Sequence, residues 1–147
     1  MRISAKGRYA LAALMEIARQ TKMGGVVSVV SISDKLGISK IFLEQAVAAL
    51  KKEAIIQSTK GARGGYQLAR EAKTITTLEV LSAIENTLME KADNTVSWQS
   101  PSTEAALRML FDKLDQAVEA CLSGVTIQDL LEHADRQNGE QAFMLNM

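Results

Sequence analysis

The chain has 147 residues, one cysteine, one proline, and 17 basic residues balanced by 17 acidic ones. That length gives one domain, or one small domain with an appended element, and it buries enough surface to need no staple. A lone cysteine excludes an internal disulfide and any metal site built from several thiolates of one chain, and no stretch approaches the roughly 18 apolar residues of a membrane span.

The zero net charge hides a split. Residues 1–75 carry 13 Lys/Arg against 5 Asp/Glu, a net of +8, while residues 76–147 carry 4 against 12, a net of −8. A basic half the size of a small domain points to a nucleic-acid backbone, because phosphate neutralisation supplies most sequence-independent affinity. The alternative is that the two halves attract each other.

Taken in chain order, residues 4–20 read as a helix capped by Ser4, with Leu11, Leu14, Met15, Ile17 and Ala18 at three- and four-residue spacings. Glu16 and Arg19 interrupt its apolar run and no small-residue cleavage site follows, so it does not read as a signal peptide. Gly24 and Gly25 close that segment. A short helix spans about Val29 to Leu36, opened by Ser28 or Ser31 and broken by Gly37. Ser39 caps the next, which runs to about Glu53 with Leu43, Val47 and Leu50 as its stripe and Phe42 and Ala46 beside it. Helix, glycine turn, helix is the helix-turn-helix pattern.

Strand-like Ile55–Thr59 follows, then the turn Lys60-Gly61-Ala62-Arg63-Gly64-Gly65, then a return strand Tyr66–Leu68. A hairpin directly after a helix-turn-helix is a wing. Thr76 and Glu79 form a capping box that opens a helix through Ile84. Residues 87–100 have no clean period and read as a loop. Pro101 then starts a long helix with a seam of Leu107, Leu110, Phe111, Leu114, Val118 and Cys121, ended by Gly124. Thr126 and Asp129 cap a last helix through about Ala134, and residues 138–147 read as a frayed, flexible tail.

The wing carries the sharpest chemistry. Its glycines allow a tip whose backbone lies against a phosphate ridge, and Lys60 and Arg63 can enter a minor groove. A nucleotide-binding loop would need a GK[ST] ending and a following helix, and neither is present. The first turns of the second helix of the motif present Ser39, Lys40, Ile41 and Gln45. Gln45 can pair with adenine through two hydrogen bonds, and Ile41 can meet a thymine methyl. Phe42 fits either the core stripe or the groove face. Glu44 can accept from a cytosine amino group or simply solvate. Lys6 and Arg8 are candidate phosphate contacts at the start of the first helix.

The segments MRISAKGRYAL, KLGISKIFLEQAVAALKKEAIIQSTKGARGGYQL and TIQDLL closely resemble the Rrf2 family of bacterial winged-helix transcription regulators. That family includes iron–sulfur regulators and cysteine-metabolism repressors. The likeness covers about residues 1–86 and 102–134, and GISxxxLEQ and GxxGGY are its specific elements. The resemblance implies dimers that bind short palindromes and pair through a long helix near the C-terminus. It places Ser39, Phe42 and Gln45 at positions that face DNA, and Lys60 at a wing position that is often arginine. Ile41 stands where a small polar residue is common, which suggests a shifted sequence preference. Cluster-binding members carry three cysteines in and around the 87–101 loop, and this chain has none there.

The expectation is therefore a mostly α winged helix-turn-helix with a small β wing: residues 1–75 bind DNA, and residues 76–137 form a helical dimerisation and regulatory part. It acts as a cytoplasmic homodimer on double-stranded DNA, as a repressor on a palindromic operator, with no membrane contact. No catalytic residue, no metal ligand and no iron–sulfur cluster are expected, because thiolates to hold a cluster are missing. His133 reads as a surface or helix-end residue, and Cys121 as a small core or interface residue rather than a sensor. Trp98 either shields a pocket or plugs a core gap. The effector, protein or small molecule, stays open. The alternatives are a DNA-binding regulator controlled by a partner protein and an interaction protein that no longer binds DNA.

Overall fold

The first helix, α1 (Ala5–Gln20), starts where the Ser4 hydroxyl accepts the Gly7 amide at 3.1 Å. The computed structural model describes residues 3–96 and 98–146; Met1, Arg2, Ser97 and Met147, which fall in the N-terminal motif, the 87–100 loop and the expected tail, lie outside the described residues. One face of α1 buries Ala10, Ala13, Leu14, Ile17 and Ala18, with Leu11 and Met15 half-buried at its edges.

Helix α2 (Val29–Leu36) is capped by Ser28, whose hydroxyl accepts the Ser31 amide at 3.1 Å. Helix α3 (Lys40–Lys52) is capped by Ser39 and buries Leu43, Ala46, Val47 and Leu50. These side chains close on Ile32 of α2 and on the α1 stripe. Each fully buried Leu or Ile contributes about 1.5–3 kcal/mol, so this three-helix core carries most of the driving force.

Strands β1 (Ile56–Thr59) and β2 (Gly65–Leu68) pair antiparallel, Ile56 opposite Leu68 and Thr59 opposite Gly65. The hairpin is fastened at its root by Val27, which donates to the Tyr66 carbonyl at 2.9 Å and accepts the Tyr66 amide at 2.8 Å. A Cβ on Gly65 would stand 2.5 Å from the Val27 carbonyl oxygen, so only glycine permits this pairing. A one-residue partner strand has no periodicity, so the sequence gives no sign of Val27.

Beyond a 3-10 turn at Ala72–Thr74 come α4 (Thr77–Ile84), α5 (Pro101–Ser123) and α6 (Ile127–Leu145). Both expected capping boxes form, Thr76 with Glu79 and Thr126 with Asp129. They lie side by side: Thr77 donates to the Val125 carbonyl at 2.8 Å and Ile127 to the Ile75 carbonyl at 2.9 Å. Ile75, Val80 and Ile127 join the same core as α1 and α3. At the far end of α4, the Glu85 carboxylate accepts the Ser4 amide at 2.9 Å and the Ser4 hydroxyl, so it also complements the positive end of α1.

The end of the chain is corrected here, and one of the two readings of Trp98 falls. Helix α6 does not stop near Ala134, and residues 138–145 are helix rather than a frayed tail. Gly139 costs about 1 kcal/mol in a helix interior, but Glu140, Gln141, Ala142, Met144 and Leu145 are strong helix formers and carry the helix past it. His133 is exposed, in agreement with its reading as a surface residue, and it sits in the interior of this longer helix. Trp98 is 86% exposed and plugs no gap in the core.

Candidate nucleic-acid interface

Helix α3 reaches its first turn with the Ser39 oxygen accepting the Phe42 amide at a long 3.4 Å. Among the described residues the Ser39 hydroxyl donates to no partner, and it stands at the helix end where the first amides are unpaired, an arrangement suited to an anion. The stripe that buries Leu43, Ala46, Val47 and Leu50 forces the opposite face outward, and there Lys40, Ile41 and Gln45 are exposed, Ile41 by 67%. Lys40 and Glu44 approach at 3.8 Å, one turn apart and both in solvent, so this pair contributes little and leaves Lys40 available.

Phe42 is partly packed and partly open. Its ring lies 5.9 Å from the Tyr9 ring, tilted by 32°, yet the residue stays 49% exposed. This pair sets the start of α3 beside the start of α1, where Lys6 and Arg8 are exposed. Nothing in the α1 pattern marks Tyr9, because its partner lies 33 positions away. Lys60 and Arg63 are exposed at the wing tip. All nine expected contact residues are thus at the surface, six of them on the first turns of α1 and α3 or beside them.

The wing is tied to the acidic half by Arg70, which meets Glu79 at 2.6 Å and also donates to the Thr74 carbonyl. Burial pushes the Glu79 carboxyl up, but the Thr76 amide, the Arg70 guanidinium and the Thr76 hydroxyl outweigh it and hold the group below its ordinary value.

Helix α5 differs from every other long helix, because it buries no residue. Leu110, Phe111 and Leu114 of the expected seam are exposed, Leu107 and Val118 are half-buried, and Met109 adds to the open apolar surface. Cys121 is a free, exposed thiol, so its reading as a core residue of the chain is corrected. The irregular segment before α5 is held against it by polar contacts. Glu104 accepts the Thr95 and Val96 amides at 3.0 Å each, Arg108 reaches both Glu104 and Asn94, and Lys91 lies 4.0 Å from Asp112. This clasp leaves no mark in the sequence, where its members look like ordinary solvated charges.

A short helix-turn-helix with an open recognition face, followed by a root-fastened basic hairpin, defines a winged helix-turn-helix protein. Residues 3–133 match the family model described as "Rrf2: Iron-dependent Transcriptional regulator". The chain is 30% identical to the HTH-type transcriptional regulator IscR of Yersinia pseudotuberculosis, over 95% of this chain and 88% of that one. The solved structure of CymR, the global cysteine regulator of B. subtilis, superposes with a TM-score of 0.77 at 30% identity, covering 90% of this chain and 98% of that one. IscR of T. potens gives 0.72 at 30% identity, over 91% and 88%. The chain belongs to the Rrf2 family: it is a winged-helix transcriptional regulator and not an enzyme.

The iron in that family description can be tested against the donors present. Iron–sulfur clusters are held by several thiolates, with histidine replacing some of them. This chain has one cysteine and one histidine. Cys121 lies on α5 and His133 on α6, and among the described residues no three His, Cys, Asp or Glu side chains gather as a metal site. The donor set of one chain does not fit a cluster.

Proposed function

We propose that this protein is a cytoplasmic, cluster-free repressor that binds a short palindromic operator as a two-fold dimer and occludes a promoter. Residues 1–75 form the DNA-binding part and residues 76–137 the dimerising and regulatory part, with the second half of α6 continuing from it. The observation that carries the reading is the pairing of two unlike open surfaces: a basic recognition face on α3 and the wing, and an unburied apolar seam on α5. In a two-fold dimer each seam covers the other through Leu107, Leu110, Phe111, Leu114, Val118 and Cys121, and the two recognition faces then read two half-sites.

On the DNA, Gln45 and Ile41 read base edges in the major groove while Ser39, Lys40, Lys6 and Arg8 hold phosphates. Phe42 stands at the groove edge, braced by Tyr9. Lys60 and Arg63 enter the minor groove. No step depends on a cluster, and the segment before α5 is held by Glu104 and Arg108 instead.

The test is selection of bound duplexes from a random pool, followed by sedimentation of the protein with the recovered site. Recovered sites should be palindromic and carry two protomers. Protein prepared without oxygen should be colourless and keep its operator affinity after treatment with an iron chelator. Sites lacking two-fold symmetry, or a stoichiometric iron–sulfide chromophore, would overturn the reading.

A further inference from the structure

A cleft of about 450 Å³ lies where the end of α1, the wing strand β2, the segment after it and α6 meet. That volume falls within the range of small-molecule sites. Its floor is apolar, made by Ala18, Leu68, Ala72 and Leu131, and its rim carries charges of both signs. Most of those charges are already committed: Arg19 meets buried Glu16 at 2.9 Å, Arg70 meets Glu79 at 2.6 Å, and Glu71 meets Lys73 at 3.2 Å. Lys22 and Asp135 also line the cleft, and neither has an ionic partner among the described residues.

We propose that this cleft is an effector site for a small zwitterion, a free α-amino acid with an uncharged side chain. Its carboxylate pairs with Lys22, its ammonium with Asp135, and its side chain lies on the apolar floor. Both groups are exposed, so neither demands a partner, but a pure anion meets the Asp135 charge and a pure cation the Lys22 charge, whereas a molecule carrying both signs meets each rim group with its opposite. The walls explain what occupancy does. Helix α1 and β2 belong to the DNA-binding fold, whereas α6 follows the helix that carries the dimer seam, so a bound zwitterion joins the two. This coupling rests on the DNA-binding reading, and the binding itself does not.

Calorimetry of the full-length chain against the uncharged-side-chain L-amino acids should find one that binds with a Kd of about 1 mM or tighter. Its N-acetyl and methyl-ester derivatives, which each remove one charge, should bind about tenfold more weakly, as should Lys22→Gln and Asp135→Asn with the parent amino acid. Both variants should melt as the unmodified protein does, which separates a lost ligand from a lost fold. Absence of any binder, or equal binding by the capped derivatives or by both variants, overturns the site. Saturating ligand should shift operator affinity about threefold or more, and the operator should shift ligand affinity by the same factor. Binding without that reciprocal shift overturns the coupling. Failure of the DNA reading is distinct: it leaves amino-acid binding intact and gives no operator complex at all.

Discussion

The two halves of this chain dispose of their apolar residues in opposite ways. Before residue 76 the core is settled internally, and of the buried apolar side chains only Val80, Leu81 and Ile127 come from later in the sequence. In α5 nothing is buried, and Leu110, Phe111 and Leu114 face solvent. The first region turns charge outward and the second turns hydrocarbon outward. On the proposed dimer, substitutions in the two regions should fail by different measurements.

The largest effect should come from the second region. Leu114→Asp places a charge in the middle of the α5 seam, and we expect monomers together with a loss of operator affinity of about a hundredfold or more, since the second half-site is no longer tethered. The wing and α3 should keep their thermal stability. A monomer by sedimentation that binds the operator with unchanged affinity breaks the comparison. Next come two substitutions in the first region that should leave the dimer untouched. Gln45→Ala should cost about 1–3 kcal/mol per half-site on the operator and far less on scrambled duplex, because it removes a base contact. Arg63→Ala should weaken both duplexes and lower the salt slope by about one per half-site. Titrations of both duplexes at several salt concentrations separate them; equal losses for Gln45→Ala on both would assign it to the backbone.

A smaller effect belongs to the seam between the halves. Glu79 is held below its ordinary value of 4.5, so its ionised form stabilises the fold at pH above that value, and the contribution is lost as pH falls through the lower folded value. Melting curves of Glu79→Gln should therefore lie only about one or two degrees below those of the unmodified protein at neutral pH, because solvent screens this half-exposed pair, and converge with them in acid. Parallel curves down to acid pH would show that the Arg70 pair is only a surface contact. The last test is internal to the first region, and its glycine variant gives the smallest change of all. Ala54, between α3 and β1, has a φ of +56°, a left-handed conformation that suits glycine. Ala54→Gly should be neutral or stabilising by about 0.5 kcal/mol, since relieved strain and added chain entropy nearly cancel, whereas Ala54→Val should cost about 1–2 kcal/mol. Chemical denaturation measures both.

How much of the molecule is legible in its sequence follows the range of the forces involved. Caps and stripes are local, so Ser4, Ser39, Thr76 and Thr126 mark their helices to within a residue, while for α2 they leave Ser28 and Ser31 both open. The wing is legible because its glycines and cations are contiguous. The contacts that hold these elements together span long stretches of chain and leave no local trace. Val27 with Tyr66, Tyr9 with Phe42 and Ser4 with Glu85 each join residues whose own surroundings look ordinary. Local rules misplace the end of α6, because glycine and asparagine usually end helices, and there the gain from the residues beyond them decides otherwise.

The wing is fixed at its base and by its glycines, while the other side chains of its apex stand open. Val27 and Tyr66 lock the root in both directions, while Lys60, Gly61, Ala62 and Arg63 stand exposed beyond the last paired residues, Thr59 and Gly65. Mutational drift is therefore confined by geometry: a change at Val27, Gly61, Gly64, Gly65 or Tyr66 threatens the hairpin, whereas a change at Lys60, Ala62 or Arg63 alters what the apex touches. A lineage of such regulators can retune its groove preference at the apex, one cation at a time, without renegotiating the scaffold that presents it.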